Sequence, residues 1–165
     1  MKIDQILDTV EKFQCPLVEV TGGEPLVQQD TATLINTLIK MEYKVLLETN
    51  GSISIKNIHP ECIKIMDIKC PSSNEAKSFF KENIKFLTDQ DEVKFVVGTR
   101  QDYLFAKTLI EKDLHKIKPE KIHISPVFNA LDIQDLASWI LEDNLGARLS
   151  LQQHKIIWEP EKRGV

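Results

Sequence analysis

The sequence predicts an α/β fold built on a mostly parallel sheet. Short apolar runs alternate with segments of helical periodicity, and this order repeats along the 165 residues. Helices that connect successive strands by right-handed crossovers make those strands parallel. Because no proline-rich or glycine-rich linker interrupts the pattern, we expect residues 1–165 to form one domain.

The first half of the chain predicts two helices and three strands. Residues 2–13 carry apolar side chains three and four positions apart, which is typical of one helix face, and Leu17–Val20 is a short apolar strand. Asp30 or Thr31 is a suitable N-cap for the second helix. The segments "YKVLLETNG" and "CIKIMDIK" are interpreted as the second and third strands.

The second half continues the alternation. Residues 73–87 predict a helix, whose apolar side chains are Phe79, Phe80, Ile84, Phe86 and Leu87. The segment "EVKFVVG" predicts the fourth strand and residues 103–114 a helix. The segment "KIHISPVF" predicts the fifth strand, residues 133–141 a further helix, and "ARLSLQQHKIIW" a final strand.

Composition favours a cytoplasmic protein with a small-molecule partner. The chain is 42% apolar and 28% charged, as globular proteins are, and its net charge of -4 disfavours a nucleic-acid-binding role. No apolar run reaches the roughly 20 residues that span a bilayer. The first residues also lack the apolar core of a signal peptide, so we expect neither a membrane partner nor export.

The three cysteines do not suggest a covalent framework. Cys15, Cys62 and Cys70 are odd in number and widely spaced, and they form neither a CxxC nor a CxxxCxxC motif. This spacing disfavours both a disulfide framework and a self-contained metal site. We interpret them as small buried residues of a reduced protein.

Polar residues lie at the carboxyl end of each predicted strand. In parallel α/β sheets the ligand site lies beyond the carboxyl ends of the strands, so these side chains converge on one edge. We therefore expect a binding site there. The residues are, strand by strand, Thr21, Gly22, Gly23 and Glu24; Glu48, Thr49, Asn50 and Gly51; Asp67, Lys69 and Ser72; Gly98 and Thr99; Ser125; and His154 and Lys155.

Each of these groups taken alone has a structural interpretation. The segment "TNGS" has ordinary turn composition, Lys69 can pair with Asp67, and His154 can be a strand histidine. The carboxylates of Glu24 and Glu48 can be solvated, or can hold an ammonium group or ribose hydroxyls. The sequence contains no nucleophile elbow, HExxH motif or phosphate loop, so hydrolase and kinase activities are not supported.

Six segments in combination resemble one enzyme family. "TGGEPL", "ETNG", "DIKCPSS", "KFVV", "SPVF" and the C-terminal "HKIIW" with "RGV" are similar to the radical S-adenosylmethionine family, and within it to the 7-carboxy-7-deazaguanine synthases of queuosine biosynthesis. The resemblance extends from Val18 to Val165. It implies a partial, open (β/α) barrel, S-adenosylmethionine lying across the strand ends, and a homodimer.

The resemblance also implies roles for individual residues. Gly22, Gly23 and Glu24 would receive the amino group of S-adenosylmethionine, and Thr21 would face the substrate. The C-terminal segment near Trp158 and Arg163 would close over the substrate. The remaining cofactor-binding residues implied are Asp67, Ile68 and Lys69 along the ribose and carboxylate, Ser125, Pro126, Val127 and Phe128 along the adenine, and Glu48 and Asn50 beside the ribose.

The family chemistry is a radical ring contraction of 6-carboxy-5,6,7,8-tetrahydropterin. A four-iron four-sulfur cluster, reduced by a donor such as flavodoxin, splits S-adenosylmethionine. The resulting radical takes a hydrogen atom from the pterin, and rearrangement with loss of ammonia, assisted by Mg²⁺, gives 7-carboxy-7-deazaguanine. The resemblance thus implies a lyase whose protein component positions the ligands and excludes water.

The sequence departs from this family at the cluster loop. The cluster requires three closely spaced thiolates, and no CxxxCxxC motif is present. We expect the chain to lack its first βα portion, as a truncated product, a mis-assigned start or an isolated portion. It would then have no catalytic residue or metal ligand of its own, be inactive alone and self-associate through an exposed edge strand. The alternatives are another radical S-adenosylmethionine enzyme, such as an activase of glycyl-radical enzymes, or a clusterless ligand-binding module.

Overall fold

Six parallel strands form one sheet of order β1-β2-β3-β4-β5-β6 in the computed structural model, which describes residues 2–73, 79–160 and 162. The strands are β1 Leu17–Val20, β2 Lys44–Thr49, β3 Ile63–Ile68, β4 Glu92–Val97, β5 Ile122–Pro126 and β6 Arg148–Leu149. The helices are α1 Ile3–Lys12, α2 Thr31–Lys40, α3 Arg100–Lys112, α4 Ile133–Glu142 and α5 His154–Ile157. None of the helices in the described ranges is long and apolar enough to cross a membrane.

The predicted α/β class is confirmed. Each strand pairs in parallel with its neighbour in sequence, as right-handed βα crossovers require. Within the described residues β1 and β6 are the two edges of the sheet, so the barrel is open.

One face of the sheet carries the hydrophobic core. Alternate side chains of β2, β3 and β4 are buried, because successive residues of a strand point to opposite faces. The buried side packs against the helices and includes Val45, Leu47, Met66, Ile68, Val93 and Phe95. The opposite face carries the half-buried alternate positions of the same strands, several of which are ionisable.

The predicted helix over residues 73–87 is wrong in its described part. Residues 74–78 lie outside the described residues, and the segments around them are two 3-10 helices, Pro71–Ser73 and Lys81–Phe86. The fully buried Asn83 explains the difference. Its side chain donates to the carbonyls of Gly51 and Ile53 and accepts from the amide of Ile55, which ties the segment to a distant loop.

The predicted final strand is also shorter than expected. β6 spans Arg148–Leu149, and the amide of Ser150 adds one bond to the carbonyl of Ile124. The next bond of a parallel ladder would require an N–H group at Pro126, which proline lacks. The chain therefore leaves the sheet, and His154 and Lys155 lie in α5 rather than at a strand end.

Candidate functional site

The turn after β1 exposes main-chain groups at the carboxyl edge of the sheet. Gly22 and Gly23 have φ angles of 102° and 56° and are both exposed. A Cβ atom added to either would meet nothing within 4 Å, so the positive φ, and not crowding, calls for glycine. Two residues without side chains thus leave space above the strand end.

Hydrogen bonds of Glu24 link this turn to the end of β2. Its Oε1 accepts from the amide of Leu26 at 3.0 Å, and its Oε2 accepts from the amide of Asn50 at 2.8 Å. The hydroxyl of Thr49 donates to both oxygens at 2.9 Å. The carboxylate therefore connects two successive strand ends, in addition to capping the 3-10 helix Pro25–Val27.

The face of the sheet opposite the core carries a row of ionisable side chains. We call it the polar face and define it by Glu19, Glu48, Asp67, Glu92, Lys94 and His123. Lys94 Nζ lies 2.6 Å from Glu48 Oε1. Burial lowers the pKa of Lys94, but its hydrogen bond to Glu48 and the nearby acids outweigh burial and raise that pKa.

Glu19 lies beside this ion pair. Burial raises the pKa of Glu19, and the charge of Glu48 and a hydrogen bond with it raise the pKa further, whereas Lys94 lowers it. Two carboxylates close together favour retention of a proton by one of them.

A second network lies at the start of β4. His123 Nε2 is 3.1 Å from Glu92 Oε2, its Nδ1 is 2.9 Å from the hydroxyl of Ser150, and Lys121 Nζ is 3.0 Å from Glu92 Oε1. Burial raises the pKa of Glu92, but the hydrogen bond and charge of Lys121, with His123, lower it overall. The network fixes the ring of His123 in the polar face.

Three cavities adjoin the polar face and the carboxyl edge. The rim cavity has about 660 Å³ and is lined by Asp67, Lys69, Ser72, Gly98, Val127 and Gln152 among others. The strand-face cavity has about 400 Å³ and includes Glu92, His123 and Ser125. A third cavity of about 530 Å³ includes Pro126, Val127 and Phe128. Glu48 and Lys94 line both the rim and the strand-face cavities, so these two adjoin.

Asp67, a residue that lines the rim cavity, has one unsatisfied side-chain oxygen. Its Oδ2 lies 2.6 Å from Lys69 Nζ, whereas its buried Oδ1 has no hydrogen-bond partner among the described residues. Buried polar atoms are usually hydrogen-bonded, so an unpaired acceptor beside a cavity suits a ligand that brings a donor.

Comparisons with known proteins give the family. No protein-family profile matches the chain. The 7-carboxy-7-deazaguanine synthase of Koribacter versatilis is 41% identical over 179 residues, covering 100% of this chain and 79% of that protein. The synthase of Chlorobaculum tepidum is 41% identical over 169 residues, covering 100% of this chain and 76% of that protein. This chain belongs to the 7-carboxy-7-deazaguanine synthase family.

A solved structure shares the fold of this family member. The crystal structure of QueE from Escherichia coli superimposes with a TM-score of 0.70 at 21% identity. The match covers 92% of this chain, which spans 64% of the length of that structure. The open sheet described above is therefore a partial barrel, as predicted.

Many of the predicted site residues line the three cavities of this member of the synthase family. Glu48, Asp67 and Lys69 line the rim cavity, Ser125 lines the strand-face cavity, and Val127 lines both the rim cavity and the third one. Lys155 Nζ lies 5.6 Å from the centre of the Phe128 ring at the third cavity. Their roles toward S-adenosylmethionine stay predictions.

Other predicted residues lie elsewhere. The side chain of Ile68 is fully buried in the core, and Ile68 lines none of the three cavities. Asn50 donates its amide to Glu24, and its side chain accepts from the amide of Ser52. Thr21, Gly22 and Gly23 are exposed and line none of the three cavities; Trp158, 41% exposed, follows α5. Arg163 lies outside the described residues.

Most residues of the polar face were not among the predicted site residues. Glu19, Glu92, Lys94 and His123 were not predicted as site residues, although they alternate with apolar residues inside their strands. That period of two is a signal for side chains pointing away from the core. It could have identified these residues before their partners were known.

The three cysteines do not fit an iron–sulfur cluster. Cys15 is exposed and precedes β1. Cys62 and Cys70 are buried at opposite ends of β3, so the length of that strand, about 20 Å, separates them. Burial raises the pKa of Cys62 to about 11 and that of Cys70 to about 12, which disfavours the thiolate that iron requires. Within the described ranges, no group of three His, Cys, Asp or Glu residues could hold a metal ion.

Proposed function

We propose that this chain binds S-adenosylmethionine at the carboxyl edge of its sheet. We also propose that it acts in forming 7-carboxy-7-deazaguanine from 6-carboxy-5,6,7,8-tetrahydropterin. The observation that carries the proposal is the 41% identity, over the whole chain, to relatives that bear the synthase name. The hydrogen bond from the Asn50 amide to Glu24 supports it, because it joins the "TGGEPL" turn to the end of the strand whose Glu48 lines the rim cavity.

Hydrogen-bonding capacity supports the proposed orientation of S-adenosylmethionine. The Asp67 carboxylate, one oxygen of which is unpaired, accepts a ribose hydroxyl, assisted by Glu48. The ammonium group of Lys69, whose side chain is 34% exposed, pairs with the ligand carboxylate. Carbonyl groups of the Gly22–Gly23 turn, held in place through Glu24 and Asn50, accept the ligand's ammonium group. The segment from Ser125 to Phe128 lines the adenine.

The protein contributes to the reaction by positioning S-adenosylmethionine and the pterin. Once cleaved by one-electron reduction, S-adenosylmethionine would supply the radical chemistry that removes a hydrogen atom from the pterin. Thr21 faces the pterin, and Trp158, directly after α5, helps to cover it and to exclude water. Glu48 and Lys94 contribute a negative and a positive group between the two adjoining cavities, suited to a pterin with both donors and acceptors.

The proposal assigns no catalytic step to the cysteines of this chain. Their separation and burial do not fit the iron–sulfur cluster, so the reductive cleavage of S-adenosylmethionine is not assigned to them. Three further features of the family belong to the proposal: Mg²⁺, a reductant such as flavodoxin and a cytoplasmic location. A homodimer also belongs to it, and the exposed Ile156, Ile157 and Trp158 offer an apolar surface for one.

Calorimetric titration tests the proposed function. S-adenosylmethionine is titrated into the 165-residue chain, and the pterin is then titrated into the loaded chain. We expect both to bind and Asp67→Asn to weaken S-adenosylmethionine about tenfold, since it alters a charge-assisted hydrogen bond. Asp89→Asn, at an exposed residue before β4, is the matched control. No binding by the unsubstituted chain, or equal weakening by both variants, contradicts the proposal.

A further inference from the structure

We propose that Asp102 is a positioning residue for S-adenosylmethionine. It would act by fixing the two loops that form one wall of the rim cavity. This inference rests on the proposed function, because it assumes that the rim cavity receives that ligand. Asp102 itself does not line the cavity and would never touch the ligand.

The carboxylate of Asp102 accepts hydrogen bonds from three residues. Asp102 is fully buried in the first turn of α3. Its Oδ1 accepts from the amide of Ser72 at 2.9 Å. Its Oδ2 accepts from the hydroxyl of Ser72 at 2.6 Å and from the amides of Gly98 and Thr99, each at 3.0 Å.

Helix capping explains only part of this arrangement. A capping box needs the bond between the Asp102 carboxylate and the amide of Thr99 and the return bond from the Asp102 amide to the Thr99 hydroxyl. The two bonds from Ser72 satisfy no donor of α3. They come from the loop after β3, 30 positions earlier in the sequence, and so join two strand ends.

The residues held by Asp102 are those that line the cavity. Ser72, Gly98 and Thr99 all line the rim cavity. Asp67, at the end of β3, and Lys69, on the same loop as Ser72, line it too. The packing between the loops is close: a Cβ atom added to Gly98 would lie 3.3 Å from the Ser72 hydroxyl and 3.3 Å from a Val127 methyl. A shift of either loop would therefore change the cavity.

Asp91 provides a matched control for burial and hydrogen bonding. It is also fully buried, and its Oδ1 accepts from the amide of Lys64 at 2.8 Å and lies 3.1 Å from Lys64 Nζ. Its Oδ2 accepts from the amide and hydroxyl of Thr88. However, Asp91 directly precedes β4 and so lies at the amino end of the strands, whereas the rim cavity lies at their carboxyl ends.

The experiment compares Asp102→Asn, Asp91→Asn and Ser72→Ala in the full chain. The Kd for S-adenosylmethionine is measured by calorimetry, and amide hydrogen exchange is followed in the loops after β3 and β4. We expect Asp102→Asn to raise the Kd about tenfold and Ser72→Ala about threefold, with faster exchange of both loops. Asp91→Asn should change the Kd less than about twofold while lowering stability comparably.

The outcomes separate the inference from the proposed function. If the unsubstituted chain does not bind S-adenosylmethionine, the proposed function fails, and this inference fails with it. If the chain binds the ligand but Asp102→Asn and Asp91→Asn weaken it equally, only the inference is overturned. If Asp102→Asn does not fold, Ser72→Ala decides. That variant loses only the hydroxyl bond to Asp102 and keeps the bond from the Ser72 amide to the carboxylate. An unchanged Kd for S-adenosylmethionine in Ser72→Ala overturns the inference.

Discussion

Lys94 Nζ contacts Glu48 Oε1 at 2.6 Å on the polar face, although β3 lies between the two strands that carry them. The lysine side chain is long enough to reach over Ile65, whose register partners are Glu48 on β2 and Glu92 on β4. Lys94 is also close enough to Glu19 and Asp67 for their charges to raise its pKa. One ammonium group thus offsets the repulsion among three carboxylates.

Replacing Lys94 should raise the pKa of Glu19. In Lys94→Met the positive charge that lowers this pKa is lost, while the repulsion from Glu48 remains. Carboxyl carbon NMR titration measures the change. Lys121→Met is the control: it should raise the pKa of Glu92, which Lys121 lowers, and leave that of Glu19 unchanged. Equal responses of Glu19 in both variants would contradict the assignment.

Removing the carboxylate of Glu24 should destabilise the turn after β1. Glu24→Ala leaves the amides of Leu26 and Asn50 and the hydroxyl of Thr49 without their acceptor. We expect the free energy of unfolding to fall by about 1–3 kcal/mol, measured by urea denaturation. Gln29→Ala, an exposed substitution close by, should have little effect. Equal stability of the two variants would mean that Glu24 does not hold the turn.

The local pattern of apolar residues predicted the strands and helices well wherever packing against the core determines them. The apolar alternation of β2, β3 and β4 is present in the sequence, and it correctly predicted strands whose carboxyl ends meet. Errors arose where distant residues decide the conformation. Asn83 is held by residues about 30 positions earlier, and β6 ends because of Pro126 on another strand.

The same reason limits what could be predicted about the site. Residues at the carboxyl end of a strand, such as Asp67 in β3 and Lys69 directly after it, could be placed at the rim from topology alone. The pairing of Lys94 with Glu48 depends on the register of three strands. The bonds between Asp102 and Ser72 connect two loops, and single-sequence periodicity carries no information about them.

Substitution of Asn83 tests whether tertiary hydrogen bonds override the helical pattern. Asn83→Ala removes two donors to the carbonyls of Gly51 and Ile53 and the acceptor of the Ile55 amide. We expect a loss of about 1–3 kcal/mol in the free energy of unfolding. Asn57→Ala, at an exposed position, serves as the control. A variant as stable as that control would show that these bonds do not hold the segment.

Thiol labelling tests the burial of the cysteines. With an aromatic disulfide reagent under native conditions, we expect one reactive thiol per chain, the exposed Cys15, and three after unfolding. Cys62 and Cys70 should react slowly because they are inaccessible and burial raises their pKa values. Cys15→Ser should abolish the fast reaction. Rapid native labelling of that variant would contradict the buried positions.

Acid should remove the contribution of Asp102 to stability. Burial raises the pKa of this carboxyl, but the hydrogen bonds from Ser72, Gly98 and Thr99 outweigh burial and lower it below its ordinary value. The unfolded chain therefore takes up the proton at a higher pH than the folded chain does. The stabilisation is complete above about pH 4, the ordinary pKa of aspartate, and is lost as the pH falls through the lower folded value.

The variant Asp102→Asn isolates this effect. Its free energy of unfolding, measured in urea at several pH values, should differ most from that of the unsubstituted chain at neutral pH. The difference should shrink below about pH 4, because protonation removes the same charge in the unsubstituted chain. Glu82→Gln, at an exposed acid, should show a small difference throughout. A difference for Asp102→Asn that stays constant down to about pH 2 would mean that the charge of Asp102 does not stabilise the two loops.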